Sequence, residues 1–168
     1  MVILVDRDDN SVGTASKREA HEKGLLHRAV SVLLFNGRGE LLLQRRAAGK
    51  YHSGGLWANT CCTHPYPGEA SGAAAERRLR EELGIAACLH PLGALRYYAR
   101  LDGGMTEHEL DHLFVGRSDT PPAPDPAEVA ACRYLSPAAV REEMALHPER
   151  FAVWFRIILE RFQTLLVP

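Results

Sequence analysis

The chain has 168 residues, 46% of them hydrophobic and 24% charged, with a formal net charge of -1. That size and mixture fit one soluble domain with a real core. They exclude a basic field for nucleic acid, and no apolar run approaches the ~20 residues of a membrane span. The expected partner is a small molecule, with no nucleic acid and no membrane; the oligomeric state is left open, with a monomer favoured. Met1–Val5 is short and is followed by Asp6, Asp8 and Asp9, which fits a first strand rather than a secretory signal, so the expected compartment is the cytoplasm. Four cysteines include the adjacent pair Cys61-Cys62. Neighbouring cysteines rarely bond to each other, so no disulfide framework is expected, and with no C-x-x-C spacing no zinc knuckle is expected either.

Asp8-Asp9-Asn10 reads as a turn, and Thr14 or Ser16 caps a short helix ended by Gly24, with Lys17 and His21 on one face. Ala29–Phe35 is a buried strand, Asn36–Gly39 a hairpin turn, and Leu41–Leu43 the returning strand, which delivers Arg45 and Arg46 to its end. Residues 47–58 read as a functional loop carrying Lys50 and Trp57. Pro65, Pro67 and Gly68 break the chain before a helix from Ser71 to Gly84. Its apolar stripe is Ala75, Leu79 and Leu83, and its charged face holds Arg78, Glu81 and Glu82. Strands are expected at about 92–101 and 107–116 around an Asp102-Gly103-Gly104 hairpin turn. Thr120–Pro126 is a proline-rich connector, Val129–Leu135 a strand, and Ser136-Pro137 a helix start; a final helix is expected from Pro148 to Leu165. No repeat or second domain is visible. Residues 1–168 are read as one α/β domain, a mixed β-sheet sandwiched between α-helices.

The polar residues gather around Thr60-Cys61-Cys62-Thr63-His64-Pro65. His21, His27 and His64 each flank a turn or chain break near charge, and Glu107 and Glu109 alternate along a strand so that both carboxylates share a face. Three imidazoles and two carboxylates suit a divalent ion of mixed nitrogen and oxygen preference, such as Mn2+ or Zn2+. His52, His90, His108, His112 and His147 are read as surface or internally satisfied residues. Lys17, Arg45, Arg46, Lys50 and Arg78 are cations at strand ends, in the loop and on the charged helix. Arg78, one turn before Glu82, offers a phosphate fork beside a carboxylate for Mg2+, and a Mg2+-bridged diphosphate is the natural ligand of that pair. Cys61 and Cys62 point to opposite faces if their segment is extended. His64, a nearby ion and the cations are expected to lower the Cys62 thiol pKa.

The helix also follows a known pattern. The Nudix box runs from a glycine through five residues to a glutamate, then seven residues to R-E-U-x-E-E-x-G-U, where U is aliphatic. Here Glu69 is the upstream glutamate and the tail is Arg77-Arg78-Leu79-Arg80-Glu81-Glu82-Leu83-Gly84-Ile85. Thr63 replaces the leading glycine and Arg78 the glutamate of R-E. An arginine there suits gripping a diphosphate without breaking it. Further stretches are Lys17 to His21 with Leu26-His27-Arg28, Gln44-Arg45-Arg46 to Lys50, Trp57 to Pro65, Tyr97, Thr106-Glu107-His108-Glu109, and Trp154. Together they cover most of the chain, which resembles the type I isopentenyl-diphosphate isomerases, a branch of the Nudix fold.

The resemblance implies a Nudix-type fold and interconversion of isopentenyl and dimethylallyl diphosphates. It implies His21, His27, His64, Glu107 and Glu109 as ligands of one divalent ion (Mn2+, Zn2+ or Mg2+), and Glu82 as holding Mg2+ on the diphosphate. Lys17, Arg46, Lys50 and Arg78 are implied phosphate contacts. Cys62 and Glu109 are the implied acid/base pair, with Tyr97 beside the glutamate. The order of the proton transfers stays open. The reaction protonates an unactivated alkene to a tertiary carbocation and removes a neighbouring proton, so acid and base act from different sides. Trp154 is favoured as the aromatic shelter for that cation, and Trp57 as ordinary core. The alternative reading is a Nudix diphosphohydrolase acting on a nucleotide diphosphate, and a third is a non-catalytic diphosphate sensor.

Overall fold

Runs rich in valine, leucine and phenylalanine, punctuated by glycine and asparagine, build one mixed sheet in the computed structural model, which describes residues 1–162. The strands are β1 (Val2–Val5), β2 (Ser11–Ala15), β3 (His27–Phe35), β4 (Leu41–Arg46), β5 (Trp57–Ala58), β6 (Cys61–Thr63), β7 (Leu89–Arg100), β8 (Thr106–Arg117) and β9 (Val129–Leu135). The helices are α1 (Lys17–Lys23), α2 (Ser71–Leu83), α3 (Pro137–Leu146) and α4 (Val153–Arg161). β3 is the hub. It pairs antiparallel with β1, β4 and β6 and parallel with β8, which pairs antiparallel with β7. The expected mixed sheet between helices is the one observed.

Alternation along β3 divides the interior. Val30, Val32 and Leu34 meet Ala74, Ala75, Leu79 and Leu83 of α2, whereas Leu33 joins Leu113, Tyr97 and the Trp154, Phe155 and Ile158 side chains of α4. Leu79 and Leu83 are fully buried, each contributing about 1.5–3 kcal/mol to holding α2 on the sheet. Ser16 caps α1 by accepting from the Glu19 N–H at 3.1 Å. Gly24, at φ 61, closes the helix in the left-handed conformation that spares a Cβ. The chain then turns directly into β3, so His21 and His27 sit on adjoining elements.

Some expectations change. Ser16, not Thr14, is the cap; Thr14 lies in β2, paired with Ile3. The long loop ends in β5, and Asp102–Gly104 form a 3-10 turn. The last helix does not start at Pro148. Pro148–Arg150 form a 3-10 turn, Phe151 bridges to Trp57, and the Ala152 N–H donates to Trp57 O at 2.8 Å, so α4 begins only at Val153. The expected end at Leu165 lies outside the described residues. Among the described residues no helix is long and apolar enough to cross a membrane.

Candidate active site

The sheet register assembles the site. Glu109 of β8 lies opposite His27 of β3 on one side and Tyr97 of β7 on the other, and Cys62 of β6 lies opposite Ser31 of β3. With a period of two, Glu107, Glu109 and Asp111 share one face with His27, Ala29 and Ser31. α1 adds Lys17 and His21, and α4 adds Trp154. Cys62, His64, Tyr97, Glu107, Glu109 and Trp154 line one cavity together with Lys17 and Arg46.

The imidazoles are aimed by their second nitrogens. His21 Nδ1 donates to Lys17 O and His27 Nδ1 to Leu25 O, each at 2.7 Å, which leaves both Nε2 lone pairs facing inward. His27 Nε2 lies 3.1 Å from His64 Nε2, and His64 Nε2 lies 2.9 Å from Glu109 Oε1. The donor atoms of His21, His27, His64 and Glu109 all lie within 4.8 Å of one another. Glu107 Oε2 is buried without a hydrogen-bond partner and stands 3.7 Å from His21 Nε2. An anionic oxygen left in this way is costly unless a cation faces it. The donor set therefore fits a divalent cation.

Electrostatics follow from burial and from the clustering of charge. Burial, then the Glu109 carboxylate, pushes the Glu107 carboxyl above the usual range. Burial also works upward on Glu109, but the bond to His27 leads the contacts that bring it below that range. Tyr97 Oη donates to Glu109 Oε2 at 2.6 Å, and its own phenol is pushed well up, by burial first and Glu109 second. Burial lowers the Lys17 ammonium against the opposing pull of Glu109.

Cys61 and Cys62 face opposite sides, as alternation requires. Cys61 packs beneath α2 with Val30 and Leu79, and Cys62 opens to the cavity. The expected lowering of the Cys62 pKa is reversed: burial, then the Asp111 carboxylate, pushes the thiol up to about 12. Its neighbours are acceptors. Asn59 donates both amide hydrogens to Val32 O and Cys61 O, at 3.1 and 3.0 Å, and turns Oδ1 to Cys62 Sγ at 3.2 Å. Ser31 donates to Asp111 Oδ2 at 2.8 Å and stands 3.5 Å from the same sulfur.

The remaining candidate residues divide into two clusters. Arg46 lies over the Trp154 ring at 5.1 Å, and the indole N–H donates to Asn59 Oδ1 at 3.2 Å. Lys50 and Arg78 instead converge on Glu128, and Arg78 also pairs with Glu82 at 2.5 Å. Glu82 is buried and accepts from Gln44 Nε2 at 2.9 Å. None of Lys50, Arg78 and Glu82 lines the cavity of Cys62 and Glu109. Trp57 is half-buried against the α4 core with Arg133 over its ring at 4.0 Å, consistent with packing. Sequence reasoning missed His52, whose Nε2 lies 3.4 Å from Glu107 Oε1; a loop has no period to reveal it. It also missed Asp111, which continues the two-residue spacing of Glu107 and Glu109 and was open to detection on that ground.

The sequence matches the NUDIX domain family over residues 25–155. DR0079 from Deinococcus radiodurans has the same fold, with a TM-score of 0.71 and 23% identity across 86% of this chain and 88% of that one. The MutT protein from Methanosarcina mazei Go1 superposes with a TM-score of 0.68 and 21% identity, covering 83% of this chain and 94% of that one. Sheet, helices and family match define a NUDIX-domain protein. The isopentenyl-diphosphate Delta-isomerase of Burkholderia multivorans is 52% identical over 160 residues, 95% of this chain and 91% of that protein. That of Streptomyces griseus is 50% identical over 163 residues, 95% of this chain and 82% of that protein. The chain belongs to the isopentenyl-diphosphate isomerase family.

Proposed function

We propose that the protein interconverts isopentenyl diphosphate and dimethylallyl diphosphate, with Cys62 and Glu109 as the two proton-transfer groups. The observation that carries this reading is their presence, with Tyr97 and Trp154, around one cavity bordered by the cations Lys17 and Arg46. The diphosphate lies against those two cations, and its five-carbon chain points inward. A proton moves to the alkene from one of the two groups and leaves the neighbouring carbon to the other. Tyr97 Oη, bonded to Glu109, passes the proton between the carboxylate and the substrate. The Trp154 face shelters the tertiary cation, and its N–H bond to Asn59 keeps the ring in place.

His21, His27, His64, Glu107 and Glu109 hold a divalent ion, Mn2+, Zn2+ or Mg2+, whose charge when bound makes the Glu109 carboxyl a stronger acid. Mg2+ accompanies the diphosphate. Lys50, Arg78 and Glu82 serve the phosphate end once Glu128 is displaced from the two cations. The working unit is a monomer in the cytoplasm.

Incubation with isopentenyl diphosphate and Mg2+ in heavy water, followed by NMR, tests the reading. Dimethylallyl diphosphate with carbon-bound deuterium is expected from the wild type and from Cys61→Ala, and none from Cys62→Ala. Equal losses in the two variants, or release of inorganic phosphate without isomer, would overturn it.

A further inference from the structure

His52 stands against the metal-binding residues although it was not expected there. Its side chain is 6% exposed, and its ring stacks on His21 with centroids 5.6 Å apart and planes at 28°. Tyr51 and Trp154 close its other sides edge-on. The loop is shaped to hold it. Arg46 Nη2 donates to His52 O at 3.3 Å, and Ser53 adopts φ 52, uncommon for a residue with a Cβ. Gly54 leaves no room for a side chain, since a Cβ there would lie 2.5 Å from Ala48 O.

The donor atoms form two groups, each within 4.8 Å: His21, His27, His64 and Glu109, and then His21, His52 and Glu107. His21 belongs to both. Its Nδ1 is committed to Lys17 O at 2.7 Å, so only one ring nitrogen remains, and one lone pair serves one ion. Donors of one ion lie within about 4.6 Å of one another, so the two groups, which share His21 but do not all meet that span, serve a single ion by drawing together on it. The separations to Glu107, 3.4 Å from His52 and 3.7 Å from His21, are long for hydrogen bonds. They suit donors that share an ion.

Resting on the metal centre proposed above, we infer that His52 is its sixth ligand, completing four imidazoles and two carboxylates around one divalent ion. Two consequences follow from that chemistry. A nitrogen-rich sphere favours a first-row transition ion over Mg2+, which prefers oxygen and water. Six protein donors also leave no position for a substrate oxygen, so the diphosphate takes its own Mg2+ elsewhere.

The test is pulsed EPR on the full-length protein, stripped with chelator and reloaded with Mn2+, counting directly coupled imidazole nitrogens, with Mn2+ and Mg2+ affinities from calorimetry. Four nitrogens are expected in the wild type and three in His52→Gln, whose Mn2+ affinity should fall at least about tenfold. His112→Gln, outside the site, should match the wild type. Three nitrogens in the wild type, or Mg2+ bound there as tightly as Mn2+, would overturn the assignment while leaving the five-residue centre intact. A wild type that retains no Mn2+ would bring down the centre itself. If His52→Gln fails to fold by circular dichroism, the wild-type nitrogen count decides alone.

Discussion

Tyr97→Phe removes a single oxygen from the cavity wall and keeps the ring. The lost group is the donor of a 2.6 Å bond to Glu109 Oε2, made where both side chains are buried. A bond to a charged acceptor contributes about 1.5–3 kcal/mol. If that bond acts during proton transfer, its loss falls on the barrier, and at about 1.4 kcal/mol per factor of ten kcat should drop roughly 12- to 140-fold. KM should stay within about twofold, because the phenol is bonded to Glu109 and the diphosphate is placed against Lys17 and Arg46. Folding stability should fall modestly as well, since Glu109 Oε2 loses a buried donor although the ring keeps its packing against the α4 core. Initial rates of dimethylallyl diphosphate formation over a range of substrate concentrations separate the two constants. A kcat within about twofold of the wild type, or a loss confined to KM, would remove Tyr97 from the proton path.

Iodoacetamide at pH 8 should modify exposed Cys88 and leave Cys62 unreacted, because a thiol pushed up to about 12 carries little thiolate there; peptide mass spectrometry after a timed quench reads this, and Cys62 labelling as fast as Cys88 would contradict it. Glu128→Gln should free Lys50 and Arg78 and lower KM for the diphosphate severalfold with kcat unchanged, while a raised KM would mean that the carboxylate positions the two cations for substrate. Glu69 is held below the usual carboxylate range by Arg77 above all. A depressed carboxylate contributes stability that is complete above its unfolded value of about 4.3 and is lost as pH falls through the folded value. Glu69→Gln should therefore lower Tm at pH 7 slightly and flatten its fall below about pH 4, as followed by calorimetry; a variant with the same acid limb as the wild type would refute this.

The parts of the fold most legible from sequence are those whose local signals agree with their packing. α2 has a stripe of apolar residues and Gly84 at its end, and from Ala29 to Phe35 β3 is an apolar run interrupted only by Ser31 and closed by the Asn36 turn. The edges were harder. β2 is mostly exposed and has no apolar alternation, and β5 is two residues long and exists only because β4 offers a partner. The late start of α4 is a tertiary effect: the backbone of Phe151 and Ala152 is claimed by Trp57, which helical periodicity cannot reveal. The site divides similarly. That His21, His27, His64, Glu107 and Glu109 cluster in space was legible from turns and strand alternation, with the family pattern in support. The direction of the Cys62 shift was not, because it depends on burial and on the Asp111 carboxylate of a distant strand, which together outweigh the opposing bonds to Ser31 and Asn59.

Two adjacent cysteines on opposite sides of β6 show that a sheet one residue thick acts as a partition. Beneath it the signature helix is held by leucines; above it the cavity is lined by residues borrowed from five strands and two helices. Damage on the lower side should register as a protein that melts sooner yet turns over normally while folded. On the upper side, damage to the polar groups of the cavity should silence turnover, whereas damage to Leu33, Leu113 or Phe155 should lower melting as well, because the α4 core packs on that same face.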